Sequence, residues 1–166
     1  VKAFKNTPQR LSDKNAENID FVVLRECTEG LFYTAAVHNR NKIANNDEVE
    51  DIMRITRNTT TRLHNFAFKL AEKRKQKGKL GKVTCVDKAN VFKSQALFRK
   101  IFNEIKDDFP NIEADTCYVD AMALNLIRQP WEYDVMVMEN IFGDILSDLG
   151  GGLVGGMGMS SCGEIG

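Results

Sequence analysis

Several charged residues stand at spacings that could do chemistry. Asp144 and Asp148 are four positions apart in Glu139-Asn140-Ile141-Phe142-Gly143-Asp144-Ile145-Leu146-Ser147-Asp148. A helix through this stretch puts both carboxylates on one face, one turn apart. Like charges so placed repel by roughly 0.2–0.5 kcal/mol. Either a solvated face tolerates that cost, or a hard cation such as Mg²⁺ or Mn²⁺ reverses its sign by taking carboxylate oxygens. Lys88 stands beside Asp87 at the end of the apolar run Lys82–Val86. It is a candidate acid–base group if partly buried, or a surface lysine whose stem snorkels. Arg25-Glu26 ends another apolar run, Ile19–Leu24. It is either a ligand-binding pair at a sheet edge or an exposed ion pair at a strand terminus. Asp120 precedes a helical pattern, where aspartate is a natural N-cap.

These residues need elements to carry them. Short, valine-rich runs read as buried strands at Ile19–Leu24, Leu31–Val37, Lys82–Val86, Glu113–Val119 and Tyr133–Met138. Helical spacing predicts helices over Glu48–Gly78, with a break expected near Asn58-Thr59-Thr60-Thr61, over Ser94–Asp108 and over Ala121–Arg128, and a further helix capped by Asn140. Strands alternating with helices predict an α/β fold with at least part of its sheet parallel. His64 lies inside a helix with no partner at ligand spacing and reads as structural. Gly150-Gly151-Gly152-Leu153-Val154-Gly155 matches a dinucleotide-binding glycine pattern in letters. It follows a helix rather than a strand, so it is read as a flexible turn or hinge.

Composition narrows the class. The 166 residues suffice for one domain with a real core, and 23 basic residues balance 23 acidic ones. Nothing global therefore points to nucleic acid or a charged membrane surface, and no apolar run approaches a membrane span. Cys27, Cys85, Cys117 and Cys162 are far apart with no paired-cysteine motif. They read as reduced cysteines of a cytoplasmic protein. The chain opens on Val1 in mid-pattern, as expected of an internal segment.

From about Asp20 onward the sequence resembles the metal-dependent β-decarboxylating 2-hydroxyacid dehydrogenases, which include the isopropylmalate, isocitrate, homoisocitrate and tartrate enzymes. The resemblance rests on Leu24-Arg25-Glu26-Cys27-Thr28-Glu29-Gly30, Val86-Asp87-Lys88-Ala89-Asn90-Val91, Tyr118-Val119-Asp120-Ala121-Met122-Ala123 and Glu139 to Asp148, in that order. It implies an isocitrate/isopropylmalate dehydrogenase-like α/β fold: central strands flanked by helices, with a dimerisation arm protruding over about 31–47. By resemblance, Arg25 binds a substrate carboxylate, and Asp120, Asp144 and Asp148 hold Mg²⁺ or Mn²⁺. Lys88, with Asp120, is catalytic and assists removal of the hydroxyl proton, and Asn90 lies near substrate and the nicotinamide of NAD (or NADP). In the family the lysine and the first aspartate reach into a partner's site, which implies a homodimer. Residues 1–154 are then a substrate-binding and dimerisation domain, and residues 155–166 start the return to a cofactor domain. The apolar Leu97, Phe98, Ile101, Leu124 and Ile127 are candidates for the dimer face.

The sequence departs from the family at two places. The position seven residues after the arginine, usually a tyrosine that protonates the enol carbon, is Phe32, with Tyr33 beside it. On a strand these neighbours point to opposite faces, so Tyr33 is no automatic substitute. Near the end, Ser161-Cys162-Gly163 replaces a cofactor-contacting turn. Two functions remain open: oxidative decarboxylation of a small 2-hydroxy di- or tricarboxylic acid, or a dimerising metal- and acid-binding module without turnover.

Overall fold

The computed structural model describes residues 1–7, 11–37 and 47–165. Its centre is a four-stranded, wholly parallel sheet built of β1 (Val22–Arg25), β2 (Lys82–Asp87), β3 (Glu113–Tyr118) and β4 (Val135–Met138), in the order β1-β4-β2-β3. Five helices accompany it: α1 (Tyr33–Val37), α2 (Arg57–Gln76), α3 (Lys93–Ile105), α4 (Val119–Arg128) and α5 (Asn140–Leu153).

Strand alternation divides the core into two layers. Val83, Cys85, Val135 and Val137 point to one face and pack against Phe68, Ala71, Phe98 and Phe102 of α2 and α3. Val86, Met136 and Met138 point to the other, against Met122 and Leu126 of α4 and Leu146 of α5. Each such large side chain contributes about 1.5–3 kcal/mol by leaving water. A one-residue slip of β4 would exchange its valines and methionines between layers, so packing on both faces fixes the register Arg25↔Met138 and Cys85↔Val137.

At the N-terminal edge, Asp134 is buried. Its carboxylate accepts from Gly81 N at 2.8 Å and Lys82 N at 3.3 Å and is ion-paired with Arg74, which also binds the Asp20 carbonyl at 2.6 Å. This network joins the end of α2 to the starts of β2 and β4. Cutting away one member of such a buried pair typically costs about 3–5 kcal/mol.

Five sequence expectations are corrected. Leu31–Val37 is not a strand: residues 31–32 form a turn and Tyr33–Val37 is helix. Gly30, at φ +75°, turns the chain there; a Cβ on it would lie 2.1 Å from Glu139 Oε2. The helix expected from Glu48 begins only at Arg57; Gly30 instead bridges Arg54, and Thr59-Thr60-Thr61 lie inside α2 rather than breaking it. Thr56 N and Oγ1 are held by the buried Glu29 carboxylate, at 2.8 and 2.6 Å, which fixes that start. Asp120 is not an N-cap, because α4 starts one residue earlier, at Val119. Asn140 is the first residue of α5, and the cap is Glu139, whose carboxylate accepts from Ile141 and Phe142 N. Gly150–Gly152 lie within α5. Of the arm expected over about 31–47, residues 38–46 lie outside the described residues.

Phe98 and Ile101 are fully buried, whereas Leu124, Ile127 and Ile145 on α4 and α5 remain exposed. No helix among the described residues is long and apolar enough to cross a membrane.

Candidate functional site

A parallel sheet delivers all its strand C-termini to one edge. Arg25 ends β1, Lys88 follows β2, Asp120 follows β3, and Asn140 and Asp144 follow β4. The connections after β2 and β4, which are neighbours, enter helices on opposite faces, the arrangement that opens a ligand crevice in α/β sheets.

Two side-chain pairs occupy this edge. In the first, β1 and the first turn of α5 meet. Arg25 Nη1 is ion-paired with Asp144, and Arg25 Nε donates to Asn140 Oδ1 at 2.8 Å. The guanidinium lies 5.5 Å from the centre of the Phe32 ring. Asp148 is exposed one turn further along α5, on the Asp144 side. In the second, Lys88 Nζ is ion-paired with Asp120 and sits 5.6 Å from the centre of the Tyr118 ring. The hydrogen bond from Lys88 is the main cause of the lowered pKa of the Asp120 carboxyl. Asn90 is exposed in the turn that follows Lys88. Among the described residues no hydrogen bond or ion pair joins the two pairs, and no group of three His, Cys, Asp or Glu side chains could hold a metal ion.

Of the supports of these pairs, Asp87 and Glu139 were not visible as site residues in the sequence, and Glu26, read there as a charged partner of Arg25, instead braces its loop. Asp87, fully buried, accepts from Ala89 N at 2.8 Å and from Arg99 Nε and Nη2 at 2.7 and 2.8 Å. It shapes the turn that presents Lys88, and its position at a buried strand end was the one available signal. Glu139 is buried at the start of α5, and desolvation raises its carboxyl pKa against the lowering effect of the backbone N–H groups it accepts from. Glu26 accepts from Thr28 N at 2.8 Å and so closes the loop after Arg25.

Gly143 lets Arg25 lie across α5. An alanine Cβ there would fall 2.6 Å from both Cβ and Cγ of Arg25. A lone glycine inside a helical pattern is a sequence signal for such close approach. Alanine would gain about 1 kcal/mol of helix propensity, but overpacking costs about 1–3 kcal/mol, and Arg25 Cβ is anchored in β1. Gly143→Ala is therefore expected to lower stability, by up to about 2 kcal/mol. A urea midpoint equal to or above the parent's would show that α5 can lift off β1 without cost.

The sequence matches the isocitrate/isopropylmalate dehydrogenase family model over residues 1–166. It is 41% identical to a 3-isopropylmalate/3-methylmalate dehydrogenase of Methanocaldococcus jannaschii, covering 100% of this chain and 47% of that protein. It is 43% identical to a homoisocitrate dehydrogenase of the same organism, over 92% of this chain and 41% of that one. Among solved structures, isocitrate dehydrogenase from Methylococcus capsulatus superposes with a TM-score of 0.79 at 38% identity, covering 95% of this chain and 44% of that one. The chain thus spans less than half the length of the relatives it matches. By sequence along its whole length, and by fold, it belongs to the isocitrate/isopropylmalate dehydrogenase family.

Proposed function

We propose that this chain is the substrate-binding and dimerisation domain, over residues 1–154, of a cytoplasmic, NAD- or NADP-dependent enzyme that oxidatively decarboxylates a small 2-hydroxy di- or tricarboxylic acid. Residues 155–166 would lead toward the cofactor domain. The observation that carries this reading is the sheet edge, where a chain of this family places Arg25 with Asp144 and Lys88 with Asp120.

In this reading Arg25 receives a substrate carboxylate, a role suited to the planar guanidinium fork. Lys88 takes up the hydroxyl proton when the substrate carbinol is oxidised; a bound nicotinamide, near which Asn90 would lie, would supply the hydride acceptor. After loss of CO₂, Lys88 or a water it orders returns a proton to carbon. Phe32, without a proton to give, packs under Arg25.

The donors fit a hard divalent cation in kind: Asp144 and Asp148 are accessible oxygen ligands one helical turn apart. One chain supplies too few of them, so Asp120 of a second copy would complete the set, as a homodimer allows. The exposed apolar Leu124, Ile127 and Ile145 suit such a contact. Bound Mg²⁺ or Mn²⁺ would supply Lewis acidity to the substrate's hydroxyl and carboxylate. Calorimetric titration with Mn²⁺ is expected to give heat with the parent and little with Asp144→Asn; equal heats would remove the assignment.

The reaction is tested on the full-length enzyme with Mn²⁺, NAD or NADP, and a panel of 3-isopropylmalate, homoisocitrate, isocitrate and tartrate. Binding without turnover of any of the four would favour the second reading, a dimerising acid- and metal-binding module.

A further inference from the structure

We propose that Asn140 is a positioning residue that decides which edge of the Arg25 guanidinium meets the substrate carboxylate. The inference rests on the reading of Arg25 as the carboxylate-binding group. Asn140 opens α5, yet its side chain does not cap the helix, because Glu139 already does. Its amide, on a residue only 2% exposed, is used in another way. Oδ1 accepts from Arg25 Nε at 2.8 Å, while Nδ2 donates to the Glu29 carbonyl at 3.2 Å. The two contacts fix the amide's orientation. Exchanging oxygen and nitrogen would set a donor against the Nε–H and an acceptor against the Glu29 carbonyl.

A guanidinium offers a carboxylate two forks. The side-on fork uses Nε with one Nη, and the end-on fork uses both Nη atoms. Nε carries a single hydrogen, and Asn140 takes it, so the side-on fork is closed. Nη1 holds Asp144, and among the described residues Nη2 has no hydrogen-bond partner. Close approach to the Gly143 backbone holds the stem, and the Phe32 ring lies 5.5 Å from the guanidinium carbon. The side chain is therefore held at its stem, at Nε and against a ring. The edge left for the carboxylate is the end-on one, where Nη2 has no partner among the described residues, and Asn140 keeps that edge presented whatever occupies Asp144.

Orientation of this kind strengthens acid binding equally in the ground and transition states, so its loss appears in KM and not in kcat. In the full-length enzyme, KM and kcat are measured with the acid of the panel that has the highest kcat/KM. Loss of one hydrogen bond to a charged group corresponds to about tenfold in affinity. Asn140→Ala is expected to raise KM by about that factor and leave kcat nearly unchanged; Asn140→Ser, whose hydroxyl is too short to reach Nε, replaces it if the alanine variant does not fold. Arg25→Lys removes the fork. In that background Asn140→Ala is expected to change KM no further, which a merely structural role of Asn140 would not produce. If Asn140→Ala leaves KM unchanged, or raises it equally in both backgrounds, the inference fails while Arg25 keeps its role. If Arg25→Lys itself leaves KM unchanged, or no acid of the panel turns over, the reading of the site fails, and this inference with it.

Discussion

Lys88→Met in the full-length enzyme is expected to lower single-turnover rates by about 10²–10⁴, the usual worth of a positioned acid–base group. Lys88 follows β2 in a turn held by the buried Asp87–Arg99 pair, and its ammonium is held in turn by Asp120. Under the proposed function Phe32 has no proton to give, and the proton that returns to carbon is assigned to Lys88 or a water beside it. Tyr33 is the nearest phenol in sequence. The strand argument that would turn it away does not apply, because Tyr33 opens α1; its ring instead lies against the Arg54 guanidinium, 4.7 Å from the ring centre. Tyr33→Phe is therefore expected to leave the rate largely intact. The opposite result, a large loss in Tyr33→Phe and none in Lys88→Met, would transfer the proton to Tyr33.

Acidification from pH 7 toward pH 4 is expected to destabilise the fold through one residue, His64. Its ring is fully buried between α2 and α3, edge-on to Phe98 and Phe102 with centroids 4.5 and 5.4 Å away. Among the described residues neither ring nitrogen has a hydrogen-bond partner. Burial alone lowers its pKa from 6.5 to about 3. The folded state thus binds fewer protons than the unfolded chain between these values, so the His64 contribution is intact above pH 6.5 and lost as pH falls toward 3. At 1.36 kcal/mol per unit, the loss is about 2 kcal/mol at pH 5 and about 5 kcal/mol near pH 3. Asp20, whose pKa is lowered by Lys79 and Arg74 against desolvation, adds a loss of the same sign at lower pH. Comparison with His64→Phe separates the two. In urea titrations at pH 7 and pH 5, the variant is expected to lose about 2 kcal/mol less than the parent. Equal losses would show that the ring gains a partner on protonation.

The strands that carry the site were legible because they are buried and short. Four of the five expected strands appear, shortened at one end or extended by a residue, and Arg25, Lys88 and Asp120 do sit where strands end. Leu31–Val37 failed because a short apolar run has no periodicity that separates strand from helix. The deciding contact, Gly30 against Glu139, joins segments far apart in sequence. The non-helical path over residues 48–56 was hidden for the same reason, since it depends on Glu29 and Gly30 as partners of Thr56 and Arg54. At the helix starts, motif letters misled. Asn140 is a good cap in isolation, but the longer Glu139 side chain folds back onto Ile141 and Phe142 N and releases Asn140 for Arg25. Which carboxylate meets Arg25 is a matter of β1–β4 register, and no local pattern encodes it.

The end of α5 is softer than its beginning. Three successive glycines, Gly150 to Gly152, form its last turn, and each is about 1 kcal/mol poorer in helix than alanine. Gly150 touches Phe21 and Val1 closely, whereas Gly152 has nothing within 4 Å of where a Cβ would stand. Packing offsets that softness: Leu153 and Val154 behind the glycines are buried in the core layer that holds Phe21 and Leu146, and Gly156 N donates to the Gly151 carbonyl at 2.8 Å. Asp144 lies in the first turn, braced by Arg25 and by the Glu139 cap. Opening at the glycine end must first draw Leu153 and Val154 out of the core, and it stops short of the carboxylates at the braced end.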